Sequence, residues 1–136
     1  MTILFSKFYP KTHKRAGEPT GFKDLILASK KLHTIRKGNR WAVGDKASLR
    51  TWAGVPYRSR QEHIADVVIR YTARVEVLPP GHLISTPTIV LNGVALDKAT
   101  TLRLIENDGL TVEDFVSWFS EPFTGQLICW NKNIVY

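Results

Sequence analysis

Short runs of apolar residues, spaced either two or three to four positions apart, divide the chain into strands and helices. Alternation with a period of two indicates strands, because successive side chains in a strand point to opposite faces. On this basis the predicted strands are residues 2–8, 32–36, 46–53, 66–78 and 126–130. The long segment 66–78 is expected to be bent. Two further apolar runs flank Asn92-Gly93, a dipeptide typical of tight turns, and predict a hairpin over residues 88–96.

Three other segments carry the signals of short helices. Thr20, Asp97 and Thr111 are residue types that cap helix N-termini, and each precedes an apolar pattern of helical period. The predicted helices are therefore residues 21–31, 98–107 and 112–119. Gly109 suits the position that follows the end of a helix. The charged segment 9–20, rich in turn-forming residues, predicts a mobile loop.

Length and composition indicate one compact domain. A chain of 136 residues with 43% hydrophobic residues can bury one core. The element order predicts an α+β domain over residues 1–136, a small, mostly antiparallel β-barrel with a few short flanking helices. A single cysteine, Cys129, excludes a disulfide framework, and no apolar run is long enough for a signal peptide or a membrane span. We therefore expect a cytoplasmic protein with no membrane partner.

Charge separates the two halves of the chain. Residues 1–60 carry 14 Lys and Arg against 3 Asp and Glu, whereas residues 61–136 carry 5 against 9. Clustered cations favour a polyanionic partner such as nucleic acid. The aromatic residues Trp41, Trp52 and Tyr57 are interleaved with these cations and could stack on bases or pack in the core. The charge pattern favours a nucleic acid or a nucleotide as partner, and the sequence does not indicate an obligate protein partner.

Motifs for metal and cofactor binding are missing from the sequence. The histidines lack metal-ligand spacing, and one cysteine cannot form a zinc motif; they are His13, His33, His63 and His82. A glycine-rich phosphate loop does not occur either. We therefore expect no metal and no cofactor.

The stretch ILASKKLHTIRKGNRWAVGDKASLR, residues 26–50, joins a helix ending in small and basic residues to a T-I-R strand and a W-x-x-G-D turn. It resembles the ASCH domain, a branch of the PUA-like β-barrels, and the likeness continues into LTVEDFVSWF and the GQ-led final strand. The resemblance covers most of the chain beyond residue 20. It implies a cleft that binds RNA or a modified nucleoside. Some small bacterial members of this family are amidohydrolases that remove the acetyl group from N4-acetylcytidine.

Those amidohydrolases use a Lys, a Thr and a Glu. The resemblance places the Lys at Lys31 and the Thr at Thr34. The acid falls on Asp108, which is one methylene shorter than Glu, with Glu106 two residues earlier. As such an enzyme, Thr34 would attack an acyl carbonyl, Lys31 would accept the Thr34 proton, and Asp108 would orient or shuttle that proton.

The residues themselves permit this chemistry but leave one question open. Thr34 and Arg36 lie two positions apart on one strand, so their side chains share a face, whereas His33 faces away from Thr34. To act as a base, Lys31 needs a pKa near neutrality. Burial and the Arg36 charge would lower that pKa, whereas a helix C-terminus and Asp108 would raise it.

Several residues around the motif are expected to bind nucleic acid or a nucleotide, and they are Arg36, Lys37, Arg40, Trp41, Trp52, Tyr57, Arg58 and Arg60. Two alternatives to the amidohydrolase stay open. A non-catalytic RNA-binding module would use the same residues to hold phosphates. A small metal-independent ribonuclease would need a base, an acid and cations, with His63 as one candidate. The basic segments 9–20 and 54–61 favour a polymer over a free nucleoside.

Overall fold

The computed structural model describes residues 1–81 and 85–136, so His82 lies outside the described residues. The elements in chain order are β1 (Thr2–Phe5), α1 (Phe22–Leu27), β2 (His33–Arg36), β3 (Lys46–Trp52), β4 (Gln61–Val68), β5 (Tyr71–Leu78), β6 (Thr88–Leu91), β7 (Val94–Ala95), α2 (Lys98–Asn107), α3 (Val112–Trp118) and β8 (Phe123–Cys129). The chain is therefore α+β, with mostly antiparallel sheets and short helices. In the described part of the chain, no helix is long and apolar enough to cross a membrane.

Two sheets form the framework of the molecule. The smaller has the order β1-β3-β4, with β1 parallel to β3 and β3 antiparallel to β4. The larger has the order β2-β8-β5-β6-β7, and every pairing in it is antiparallel. Strand pairing over the described residues does not close these sheets into a barrel. One continuous apolar core, with Leu49, Phe115 and Leu127 fully buried, joins the sheets and the helices.

The predicted bent strand 66–78 is two strands that belong to different sheets. Ile69, between β4 and β5, is fully buried, and its backbone bonds to the Gly44-Asp45 turn at 2.8 Å in both directions. The next residue, Arg70, donates its N–H to Cys129 of β8. The Gly-Asp turn thus holds the chain at the point where it leaves the smaller sheet and enters the larger one.

The first helix is shorter than predicted. It ends at Leu27 rather than at residue 31, because Ser29 takes a left-handed conformation with φ of 56°. Thr20 is not its N-cap, since Gly21 holds that position and the Thr20 hydroxyl donates to the Ser6 carbonyl at 2.8 Å. Lys31 therefore lies in the connection to β2 and not at the end of α1.

The two other predicted helix N-caps and the predicted hairpin turn are confirmed. The side chains of Asp97 and Thr111 accept hydrogen bonds from the N–H groups of Thr100 and Asp114, at 2.7 and 3.1 Å. The Asn92-Gly93 turn joins β6 to β7 with both residues in the left-handed region that such a turn requires.

The segment 9–20 was predicted to be a mobile loop, and the structure gives it a defined fold. Tyr9 pairs with Glu18 and Gly17 through backbone hydrogen bonds. The Arg15 guanidinium and the His13 ring then bond to Asp114 of α3. The loop is therefore fastened to a helix by its own basic and aromatic residues.

Candidate active site

A cavity of about 130 Å³ lies between the end of β1, the strand β2, the start of α1, the turn between α2 and α3, and the end of α3. Its aromatic wall includes Phe5, Phe22, Trp118 and Phe119, and its polar groups include Lys31, Thr34, Arg36 and Asp108. A cavity of roughly 150 Å³ accommodates a benzene ring. The space therefore suits one six-membered ring, held against aromatic side chains and facing a small set of charged and hydroxyl groups.

Residues far apart in sequence meet at this cavity because the chain before β2 caps the end of α2. The N–H of Leu32 donates to the carbonyl of Asn107, the last residue of α2, at 2.8 Å. Gly109 follows with φ of 80°, a conformation that favours glycine, and a Cβ there would lie 3.1 Å from the Cβ of Lys31. Close packing at the turn thus sets Lys31 directly over Asp108.

Lys31 and Asp108 form a buried ion pair. The Lys31 Nζ donates to the Asp108 carbonyl at 2.6 Å and lies 3.2 Å from Asp108 Oδ1, and the two side chains are 3% and 5% exposed. The ammonium also lies 4.4 Å from the centre of the Phe22 ring. Burial lowers the pKa of Lys31 below that of a free lysine, and Asp108 compensates only in part. Burial acts to raise the pKa of Asp108, but Lys31 and His33 outweigh it and hold that pKa below its ordinary value.

A helix C-terminus opposes the loss of the Lys31 proton, as the sequence suggested, but the helix is α2 instead of α1. Asp108 is the C-cap of α2, and its carbonyl is the group that accepts from Lys31 Nζ. The negative end of a helix dipole favours a nearby cation. Lys31 is therefore held between two opposing influences: burial, which favours the free amine, and the end of α2 with its carboxylate, which favours the ammonium.

Thr34 and Arg36 share one face of β2, as strand alternation predicts. The Arg36 Nε donates to Thr34 Oγ1 at 3.1 Å, and the guanidinium lies 4.9 Å from the centre of the Phe5 ring. Burial lowers the pKa of Arg36, yet a guanidinium stays charged at any physiological pH. The site thus holds a hydroxyl beside a fixed positive charge.

The strand carrying these groups is held very close to its neighbour. Gly125 of β8 lies beside β2, and a Cβ at this position would overlap the backbone carbonyl of Arg36. Only a glycine permits this approach, so the spacing of the two strands fixes where Thr34 and Arg36 stand.

His33 is a site residue that the sequence analysis missed. Its ring does face away from Thr34, but its Nδ1 lies 3.2 Å from Asp108 Oδ1 and its Nε2 lies 2.6 Å from the Tyr136 hydroxyl. The Asn107 amide in turn donates to that hydroxyl at 3.0 Å. The period-two spacing of Lys31 and His33 was an available signal, whereas nothing in the sequence indicated Tyr136. Glu106, the other acid considered, is exposed on α2.

The residues expected to bind nucleic acid lie in several places. Lys37 and Arg40 are exposed after β2, and the Arg40 guanidinium lies 5.3 Å from the centre of the Trp41 ring. Trp41 is only 6% exposed. Its backbone N–H and C=O both bond to the Gln126 amide, at 3.1 and 2.6 Å. Trp41 is therefore a core residue in this structure and does not line the cavity.

A second group lies at the end of β3 and on the loop that follows it. Trp52 is half-buried and its ring centre lies 5.1 Å from that of Tyr57, which is 87% exposed. Arg58 and Arg60, on the same loop, are also exposed. The loop begins near the cavity, because Thr51 pairs with Phe5 in the smaller sheet. An exposed aromatic ring and two exposed arginines therefore lie on a loop that leaves β3 beside the cavity wall.

Metal ligation has no clear place in this geometry. Within residues 1–81 and 85–136, no three His, Cys, Asp or Glu side chains are grouped so that they could hold a metal ion. The cavity itself offers one carboxylate, and a lysine and a histidine already occupy one of its oxygens.

Comparison with known proteins gives no match for this chain among protein-family models, curated proteins or solved structures. The interpretation of the cavity therefore rests on its own geometry and on the sequence motifs that surround it.

Proposed function

We propose that this chain is an ASCH-type domain of the PUA-like β-barrel group, acting in the cytoplasm, that hydrolyses an acyl amide on the exocyclic nitrogen of a nucleoside base, as in N4-acetylcytidine. The observation that supports this most strongly is the meeting of Lys31, Thr34 and Asp108 at one cavity, although Lys31 and Asp108 are 77 positions apart. These are the residues that the family resemblance selects. The aromatic wall and the size of the cavity suit a pyrimidine ring.

In the proposed reaction, Thr34 Oγ1 attacks the acyl carbonyl carbon while Lys31, in its free-amine form, takes the hydroxyl proton. The carbonyl oxygen becomes an oxyanion beside the Arg36 guanidinium, which stabilises the negative charge. The carbon–nitrogen bond then breaks, and the base nitrogen leaves with the proton held by Lys31. Water hydrolyses the acyl ester on Thr34, which yields the free base amine, the carboxylate product and the restored hydroxyl.

The same mechanism gives a sign for the pH dependence. Lys31 must lose its proton to act as a base, so activity is expected to rise with pH. Since burial lowers the pKa of Lys31, the midpoint of that rise is expected below 10.5, the ordinary pKa of lysine. A pH profile of kcat measures it.

A non-catalytic RNA-binding module is the second candidate. The exposed Tyr57 ring, with Arg58 and Arg60, favours it because base stacking and phosphate contacts are the usual means of holding a single strand. A ribonuclease has less support. His63 pairs with Asp66 at 3.0 Å on β4, where both side chains are exposed, and does not line the cavity.

The test is to incubate the purified protein with N4-acetylcytidine and, separately, with a mixed-sequence RNA, and to follow both by chromatography. We expect release of cytidine, with at least a roughly hundredfold loss of rate in Thr34→Ala and Lys31→Ala. Unchanged release in Thr34→Ala would rule out the assigned nucleophile. Intact nucleoside with retained RNA would favour the binding module, and shortened RNA the ribonuclease.

The chain supplies matched controls for both variants. Thr72 pairs with Ile128 from one side just as Thr34 pairs with it from the other, so Thr72→Ala removes the same atoms from a neighbouring strand. Lys30 is exposed and adjacent to Lys31, so Lys30→Ala removes an equal charge. Both controls are expected to keep the wild-type rate.

A further inference from the structure

We propose that His33, Tyr136 and Asn107 form a hydrogen-bonded chain that positions Asp108 against Lys31 and so sets the pH at which Lys31 releases its proton. The catalytic meaning of this inference rests on the proposed function. The hydrogen bonding itself rests on geometry, and it can be tested without any substrate.

The direction of each bond follows from the chemistry of its partners. Asp108 is a carboxylate and can only accept, so the Nδ1 of His33 must carry a proton and donate to Oδ1 at 3.2 Å. Burial lowers the pKa of His33, which keeps the ring neutral and leaves its Nε2 as an acceptor. The Tyr136 hydroxyl, 2.6 Å away, therefore donates to Nε2.

The Tyr136 hydroxyl, at the other end of this series of hydrogen bonds, also has its acceptor position filled. Burial raises the pKa of Tyr136, so its hydroxyl keeps its proton. That oxygen accepts from the Asn107 amide at 3.0 Å, and Asn107 is the residue before Asp108. The bonds thus run from Asn107 through Tyr136 and His33 to the carboxylate, and they begin and end at the C-terminus of α2.

This arrangement bears on Lys31 because one carboxylate oxygen serves two donors. Both Lys31 and His33 bond to Oδ1 of Asp108 at 3.2 Å. A donor on a carboxylate withdraws part of its negative charge, which weakens its hold on a second donor. The His33 bond therefore eases the release of the Lys31 proton, and Tyr136 supports the tautomer that this bond requires by donating to Nε2.

Other groups that face Lys31 act independently of this chain. Arg36 of β2 lowers the pKa of Lys31, and the carbonyl of Asp108 at the end of α2 favours the ammonium. The rings of Phe22 from α1 and Phe5 from β1 cover the ammonium at 4.4 and 5.7 Å. The His33 chain affects Lys31 in one way only, by weakening the attraction between the Asp108 carboxylate and the Lys31 ammonium.

The first measurement is the tautomer of His33 by nitrogen-15 NMR of the wild-type protein. We expect a proton on Nδ1 and none on Nε2, with no titration from weakly acidic to weakly basic pH. A proton on Nε2, or titration like that of a free imidazole, would overturn the proposal. This result requires no variant and no activity.

The second measurement compares Tyr136→Phe with wild type by following the carbon-13 shift of Lys31 Cε against pH. Without the hydroxyl, the Nδ1–H tautomer loses its support, and the pKa of Lys31 is expected to rise by roughly half a unit or more. Tyr71→Phe is the matched control, since Tyr71 is half-buried near Cys129 and bonds to none of these residues. An unchanged Lys31 titration in Tyr136→Phe would reduce the chain to a structural role.

A milder variant keeps the test open if Tyr136→Phe folds poorly. Asn107→Ala removes only the donor to the Tyr136 oxygen, and a smaller upward shift of the Lys31 pKa is expected. The rising limb of the activity profile is expected to move with the Lys31 titration in each variant. NMR results as expected without any hydrolysis of N4-acetylcytidine would leave this proposal standing and contradict the proposed function alone.

Discussion

Two aspartates of similar construction, Asp108 and Asp114, flank the turn between α2 and α3. The carboxylate of each faces one cation, and the backbone carbonyl of each accepts from a side chain. Asp108 faces Lys31, whose side chain is 3% exposed, whereas Asp114 faces Arg15, whose side chain is 40% exposed. The same components are therefore placed once in the interior and once at the surface.

Under the proposed function, this difference gives the two clusters different roles: Lys31 exchanges a proton, whereas Arg15 holds the loop. Arg15 bonds Asp114 at 2.7 Å and, as a guanidinium, does not release a proton. Its pair fastens segment 9–20 to α3, where Tyr9 stacks on His13 with ring centres 4.2 Å apart. Lys31 is a buried amine that lines the cavity, and an amine, unlike a guanidinium, can release its proton. Burial and the choice of cation, more than the carboxylate, distinguish the Lys31-Asp108 pair from the Arg15-Asp114 pair.

Neutralising each carboxylate in turn tests most directly whether the two aspartates differ in this way. Asp108→Asn leaves the Lys31 charge buried without a counter-charge, and we expect a loss of about 3 to 5 kcal/mol in the free energy of unfolding at neutral pH. Asp114→Asn is expected to lose clearly less, because water reaches Arg15. Denaturant unfolding of both variants measures this difference, and a larger loss in Asp114→Asn would contradict it.

The pH dependence of stability provides a second test of the Asp108→Asn variant. Asp108 has a lowered pKa in the folded protein, so its contribution is fully present above about pH 4, the ordinary carboxyl pKa, and is lost as pH falls through the folded value. The pKa of Lys31 is lowered too, so stability is expected to rise with pH between its folded value and 10.5. The cost of Asp108→Asn should therefore shrink at both extremes of pH.

Removal of a hydroxyl from each cluster should have the next largest effect. Tyr136→Phe leaves the buried Nε2 of His33 without its donor, at an expected cost of about 1 to 3 kcal/mol. Tyr9→Phe removes a long bond of 3.4 Å to Asp114, for which we expect about 1 kcal/mol or less. Thermal unfolding of the two variants checks the order, and equal losses would contradict it.

A smaller effect on stability is expected when the buried pair is replaced as a unit. Lys31→Met with Asp108→Leu removes both charges together but leaves the buried Nδ1–H of His33 without its acceptor, so we expect a loss in unfolding free energy of about 1 to 2 kcal/mol, below that of Asp108→Asn. Activity should disappear in the same protein. A loss equal to the sum of the single variants would mean that the pair itself stabilises the fold.

The smallest effect concerns salt. Arg15→Gln is expected to lower Tm slightly at low ionic strength and hardly at all in high salt, because exposed ion pairs are screened. The effect of Asp108→Asn should change little over the same range of salt. Thermal unfolding at two salt concentrations tests whether the two clusters differ in exposure as described.

Local signals in the sequence predicted much of this structure. The caps Asp97 and Thr111 and the Asn92-Gly93 turn were predicted because each depends on side-chain and backbone chemistry within a few residues. The proximity of Lys31 and Asp108 came from the family resemblance. The ion pair between Lys31 and Asp108 depends on how the chain before β2 caps the end of α2. That contact joins residues far apart in sequence, so it leaves no local pattern.

Features decided by distant contacts were not predictable. The exchange of sheets at Ile69 depends on the Gly44-Asp45 turn, so an alternating pattern across 66–78 gave one strand instead of two. His33 was assessed only by the direction of its side chain relative to Thr34, whereas its hydrogen-bond partner, Asp108, lies 75 positions away in the sequence. The sequence left Trp41 open between stacking on a base and packing in the core, and its burial in the folded chain favours the core.

Gly125 has no side chain, yet it determines how closely β8 approaches the strand that carries Thr34 and Arg36. Because any side chain there would push against the Arg36 carbonyl, a saturation mutagenesis screen scored by activity should find position 125 as intolerant as Lys31 or Thr34. A parallel screen for protein abundance would distinguish position 125 from position 34. Gly125 variants are expected to be depleted in it, and Thr34 variants are not. Intolerance in such a screen would thus report strand spacing at one position and chemistry at another.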